Sequence, residues 1–69
     1  MERKNETLYF VYGMRLRGFS IGCQPMNGLF AHKNGNGKYY DILYYVRRLT
    51  DEEVRNYELD YLGVSSYEN

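Results

Sequence analysis

From Thr7 to Leu16 the chain alternates without a break: Leu8, Phe10, Tyr12, Met14 and Leu16 fall on one side, and Tyr9, Val11, Gly13 and Arg15 on the other, with Arg17 continuing the second row. A two-residue period is that of an extended strand with one buried face, and winding it into a helix would scatter the apolar row around the axis. A chain that opens this way is committed to a sheet. Its remaining residues must supply the other strands and a cover.

The next stretch, Arg17 to Gly28, cannot be helical. Gly18, Gly22, Pro25, Asn27 and Gly28 are too closely spaced, and Pro25 lacks a backbone donor. It reads as a structured loop with room for a short strand or turn at Phe19–Cys23. Leu29 to Lys33 resumes as a short strand, and Asn34-Gly35-Asn36-Gly37 supplies the positive φ angles of a tight hairpin. Lys38 to Arg48 follows as a long strand, with Tyr40, Ile42, Tyr44 and Val46 on one face and Tyr39, Asp41, Leu43, Tyr45 and Arg47 on the other. Large residues on both faces call for a cover on both, a helix on one side and a partner on the other.

The helix start is well marked. Thr50 is an N-cap residue and Glu53 completes a capping box, while Leu49 and Val54 have the spacing of a hydrophobic staple. Asp51, Glu52 and Glu53 put negative charge where the helix dipole favours it. Val54, Tyr57, Tyr61 and Leu62 recur at helical spacing, and Gly63 reads as the stop, so the helix is expected over Asp51 to Leu62. The expected fold class is α+β: a small three-stranded antiparallel meander with one C-terminal helix packed on one face. Residues 1–6 read as a mobile tail, 7–63 as a single β-β-β-α domain and 64–69 as a C-terminal tail.

Size then limits how such a fold is held together. A single domain of 69 residues buries only about 60% of the surface that its unfolded chain exposes, so it needs reinforcement. Cys23 is the one cysteine, which excludes an internal disulfide, and Cys23 with His32 cannot fill a zinc shell. No metal or cofactor is expected. Dense packing of nine tyrosines and three phenylalanines, and assembly into a homo-oligomer, are the expected remedies. The charged opening Met1 to Glu6 is no signal peptide, and no stretch reaches the roughly 20 apolar residues of a membrane span. A cytoplasmic location without membrane contact is expected.

Charge is sorted by segment. Thr7 to Arg48 carries six basic residues against Asp41, and Leu49 onward carries six acids against Arg55. Segregated charge attracts an anionic ligand or a second copy of the chain. Zero net charge with an acidic C-terminal part speaks against general affinity for a polyanion, so nucleic acid is not an expected partner.

The tract from Gly13 to Pro25 is the candidate site. Arg15 and Arg17 share a strand face, and guanidinium forks bind phosphate or carboxylate oxygens bidentately. Gly18 and Gly22 let backbone amides approach an anion, Ser20 and Gln24 add hydrogen bonds, and Tyr39, Tyr45 and Arg47 are expected to line the same face. No Gly-Lys-Ser/Thr follows the glycines, and no strand-turn-helix context makes a dinucleotide fingerprint. The competing reading is a pair of solvated arginines protecting a sheet edge. Cys23 reads as an inert thiol, His32 as a surface residue, and Glu58 and Asp60 as a solvated helix face.

The stretches Tyr12 to Pro25, Lys38 to Leu43 and Leu49 to Glu53 resemble a group of small proteins of bacteriophages and mobile elements of Gram-positive gut bacteria. The resemblance implies a counter-defence setting, in which one class of small homo-oligomers sequesters nucleotide signals. The expected function is thus a non-enzymatic binding protein that holds an anionic, nucleotide-type small molecule on its Arg/Gly/Tyr face. The alternative is a protein-inhibiting module of the anti-CRISPR kind, or an inhibitor of a host enzyme, acting through the acidic helix.

Overall fold

The computed structural model of the chain describes residues 7–15, 24–35 and 37–67. Along them run β1 (Tyr9–Met14), β2 (Leu29–Asn34), β3 (Asp41–Tyr45), α1 (Asp51–Asn56) and β4 (Leu59–Ser65). All strand pairs are antiparallel, in the order β2-β3-β1-β4. The α+β class holds, but the sheet has four strands rather than three and is no meander: β3 lies between β2 and β1, and the helix is followed by β4 instead of ending the domain. The expected turn or strand at Phe19–Cys23 lies outside the described residues.

The fourth strand replaces the second half of the expected helix. The helix start is as the sequence dictates: Thr50 Oγ1 accepts from the Glu53 amide at 3.1 Å, and the Glu53 carboxylate accepts from the Thr50 amide at 2.9 Å. Leu49 is buried and Val54 packs against the same cluster. The helix ends at Asn56, however; Tyr57 caps it and Glu58 turns into the left-handed region at φ 51°. The chain from Leu59 then pairs along β1.

A segment this short fits two periods. Tyr57, Tyr61 and Leu62 suit a helical stripe, but Leu59 and Tyr61 also alternate, and β1 needs backbone partners on both of its edges. Pairing outweighs local propensity here, and it buries Leu59 at 1% exposure. Gly63 is no helix stop. It sits inside β4 with φ 113°, beside the register shift opposite Val11 and Tyr12.

The central position of β1 also changes its faces. One buried row was expected, yet Tyr9, Val11 and Gly13 are buried as well as Tyr12 and Met14, while Leu8 is exposed. On the helix side Tyr12, Met14, Leu43, Tyr45, Leu49 and Leu59 form the main core, with Val54 and Tyr57 of α1 and its cap packed against it. Two tyrosine hydroxyls find partners inside it, as buried hydroxyls must. Tyr12 Oη accepts from the Leu49 amide at 2.9 Å, and Tyr45 Oη donates to the Pro25 carbonyl at 2.8 Å. The β2–β3 hairpin is closed by the Gly35 amide donating to the Tyr40 carbonyl at 3.0 Å, with Gly37 at φ 84° as the Asn-Gly repeat predicts.

Candidate functional site

The face of the sheet turned away from α1 carries a second cluster. Tyr9, Val11 and Tyr44 are buried there, with Ile42 and Tyr67 packed against them. Register explains the grouping, because Val11 lies opposite Tyr44 and Gly13 opposite Ile42. Phe30 of β2 stacks on Tyr9 with centroids 4.4 Å apart and planes 15° from parallel, and is itself 52% exposed. Tyr44 meets Tyr9 edge-on at 6.5 Å, and Tyr67, beyond the end of β4, meets Tyr44 at 4.9 Å and Phe30 at 5.7 Å. Lys33, opposite Ile42, holds its ammonium 5.1 Å from the Tyr67 ring and 5.8 Å from that of Tyr44. That is cation–π range.

The other end of this face holds a polar corner over Gly13. The Tyr39 ring lies where a side chain of residue 13 would be, since a Cβ on Gly13 would come within 2.6 Å of Tyr39 Cδ1. Only glycine admits that approach. Tyr39 Oη donates to Asp60 Oδ2 at 2.7 Å, and Arg15 Nε lies 3.4 Å from Asp60 Oδ1. Asp60 reaches this corner because β4 sets it opposite Gly13. The hydrogen bond to a carboxylate holds the Tyr39 phenol above its ordinary pKa, because ionising it would destroy the bond. Lys38 lies 5.5 Å above the Tyr39 ring.

Arg15 and Tyr39, both expected at the site, thus come together. Three other expected residues do not join them. Tyr45 was expected to face away from the core but is fully buried within it, and burial pushes its phenol pKa up. Arg47 is committed: its guanidinium donates to both Glu53 oxygens at 2.9 and 2.8 Å and to the Asn27 carbonyl at 2.8 Å. The bidentate bond to Arg47, helped by the Thr50 amide, lowers the Glu53 pKa to about 2. Gln24 is buried, with its amide nitrogen 2.9 Å from Met26 Sδ. For Tyr45 and Arg47 the physical reason is parity: the apolar residues Leu43 and Tyr45 turn toward Tyr12 and Met14, and the helix with its acidic cap covers that side. Arg17, Gly18, Ser20 and Gly22 lie outside the described residues.

The family model for Defence against restriction A C-terminal matches residues 7–64. The chain belongs to this family. The match takes in β1, β2, β3 and α1 whole and β4 up to Val64. Membership gives the chain a role related to defence against restriction, in keeping with the counter-defence setting of phage and mobile-element proteins. No curated protein and no solved structure matches it.

In this Defence against restriction A C-terminal domain, Asp60, Lys33, Lys38, Phe30 and Tyr67 join the face although the sequence did not assign them to the site. Asp60 was hidden because it was read into a helix. Lys33 and Tyr44 carried a signal, since alternation from the hairpin turn places both on one side. Among the described residues no three His, Cys, Asp or Glu side chains gather as a metal shell, and no helix is long and apolar enough to cross a membrane.

Proposed function

We propose that the chain is a non-enzymatic binding protein that serves counter-defence by holding an anionic, nucleotide-type ligand on the open face of its sheet. The observation that supports this is the shared placement of cations and rings. Lys33 sits against Tyr44 and Tyr67, Lys38 against Tyr39, and Arg15 beside Asp60, all on the side away from α1. Cations neutralise phosphate oxygens while aromatic faces stack on a base. Arg15 keeps donors beyond the single nitrogen that faces Asp60.

Titration calorimetry with mononucleotides, cyclic nucleotides and short oligonucleotides tests the reading. At least one should bind, and Arg15→Ala with Lys33→Ala should abolish the heat while leaving the circular dichroism spectrum unchanged. A flat titration with every compound would refute it.

A second reading has its own observation. Asp51 and Glu52 of α1 and Glu58 beyond it are exposed, whereas Glu53 is consumed by Arg47 and the cap. These carboxylates form an acidic surface suited to a basic groove on a protein. If Asp51→Asn with Glu52→Gln abolishes protection against restriction and Lys33→Ala does not, this second reading replaces the first.

A further inference from the structure

We infer that the ligand of the open face is single-stranded nucleic acid, bound as an extended strand rather than as a mononucleotide. This rests on the function proposed above and narrows it. Shape comes first. A small ligand draws its affinity from enclosure by convergent groups. The binding groups are instead spread over β1, β2, β3, the turn at Tyr39 and the segment after β4. A surface of that kind gathers affinity from successive nucleotides of a strand.

The rings indicate a single strand. Phe30 rests one face on Tyr9 and is half exposed, so its outer side can extend the stack by one base. A duplex keeps its base faces covered, whereas an unpaired strand offers them. Lys33 beside Tyr44 and Tyr67 puts an ammonium next to the stacking position, where the phosphate joining stacked bases must pass.

Charge supports the same occupant. Zero net charge argued against a polyanion only while the charges were summed along the chain. The fold separates them: Asp51 and Glu52 lie on α1, over the opposite side of the sheet. On the open face the described residues Arg15, Lys33 and Lys38 stand against one carboxylate, Asp60, already engaged by Arg15 and Tyr39. A second copy is the poorer occupant. Its acidic side lies opposite its basic side, so face-to-helix contacts run head to tail and do not close a two-fold pair.

Fluorescence anisotropy of the full chain with a labelled 12-nucleotide strand decides the matter, with DNA and RNA versions, the matching duplex and a labelled mononucleotide as separate arms. The single strand should bind at least tenfold tighter than duplex or mononucleotide, and the DNA and RNA arms show which sugar is preferred. Phe30→Leu keeps an apolar side chain but removes the stacking face, and should weaken binding by about fivefold or more. Lys33→Ala should weaken binding and reduce the slope of log affinity against log salt by about 0.7, while Asp51→Asn leaves both unchanged. Duplex binding equal to single-strand binding, or indifference to Phe30→Leu, overturns the inference. A mononucleotide that binds as tightly as the 12-mer overturns it while leaving the proposed function standing; no binding in any arm also overturns it, and the calorimetric panel with cyclic nucleotides then decides the proposed function.

Discussion

Tyr39 donates its hydroxyl to Asp60 at 2.7 Å across the backbone of Gly13. The two residues are 21 positions apart and belong to the hairpin turn and to β4, so this bond joins the segments flanking the central strand. The Tyr40 amide adds a backbone bond of 2.9 Å to the Met14 carbonyl, and the Arg15 amide reaches the Glu58 carbonyl at 3.4 Å. The end of β1 is therefore gripped from both sides, and the same grip sets Arg15 on the open face.

Gly13→Ala should loosen that grip. Its Cβ would fall 2.6 to 2.8 Å from three atoms of the Tyr39 ring, so the ring must shift, which disturbs its bond to Asp60. A cost of about 1–3 kcal/mol is expected, as for other overpacked sites. Urea unfolding of Gly13→Ala alone and with Tyr39→Ala measures the coupling. Once the ring is gone, the alanine should cost much less; an equal cost in both backgrounds would show that the ring is not the obstacle.

Glu58 stands at φ 51° where the helix gives way to β4. A residue with a Cβ pays roughly 1–2 kcal/mol there, and glycine avoids this at some cost in unfolded-chain entropy. Glu58→Gly should therefore stabilise the fold by about 0.5–1 kcal/mol, visible as a higher urea midpoint at unchanged slope. A lower midpoint would mean that the glutamate side chain contributes more than its backbone strain removes.

Strands β1, β2 and β3 and the helix start were legible because each rests on local chemistry: alternation in β1 and β3, the Asn-Gly turn, and the Thr50–Glu53 box. What was not legible depended on partners distant in sequence. Residues 59–65 satisfy a helical stripe and a strand pattern together, and the backbone of β1 settles the choice. The candidate site inherits the same limit. Tyr39 meets Arg15 although it shares its parity with Tyr45, because it precedes β3 in the hairpin turn and its ring crosses Gly13, and Asp60 could join them only once its segment was a strand. Tyr45 was misplaced because β3 is apolar on both faces, and parity alone does not say which face meets the helix.

Tyr12 provides a sharper test of the core. Its hydroxyl is the acceptor for the buried Leu49 amide, just before the helix N-cap. Tyr12→Phe keeps the ring and strands that donor, which costs about 1–3 kcal/mol. Tyr61→Phe, at an exposed position of β4, should stay within about 0.5 kcal/mol of the parent. Equal midpoints for the two variants in guanidinium unfolding would deny the Leu49–Tyr12 bond any part in stability.

Acid should act on the fold through Glu53. Its carboxyl titrates near 2 in the folded chain, held down by Arg47 and then by the Thr50 amide, against 4.5 for the free group. A group with a depressed folded pKa binds protons first in the unfolded chain. Its contribution is thus fully present above about 4.5, declines as pH falls below that value, and is gone once pH passes below about 2. The ion pair is partly exposed, with side-chain exposures of 28% and 27%, so salt weakens the contribution. Thermal melts of the parent and Glu53→Gln between pH 7 and 2 provide the measurement. The parent should melt higher at neutral pH, and the gap should narrow steadily below about pH 4.5 and shrink further in high salt. A gap that stays constant down to pH 2 would show that the carboxylate charge, and with it the Arg47 bridge, does not support the helix start.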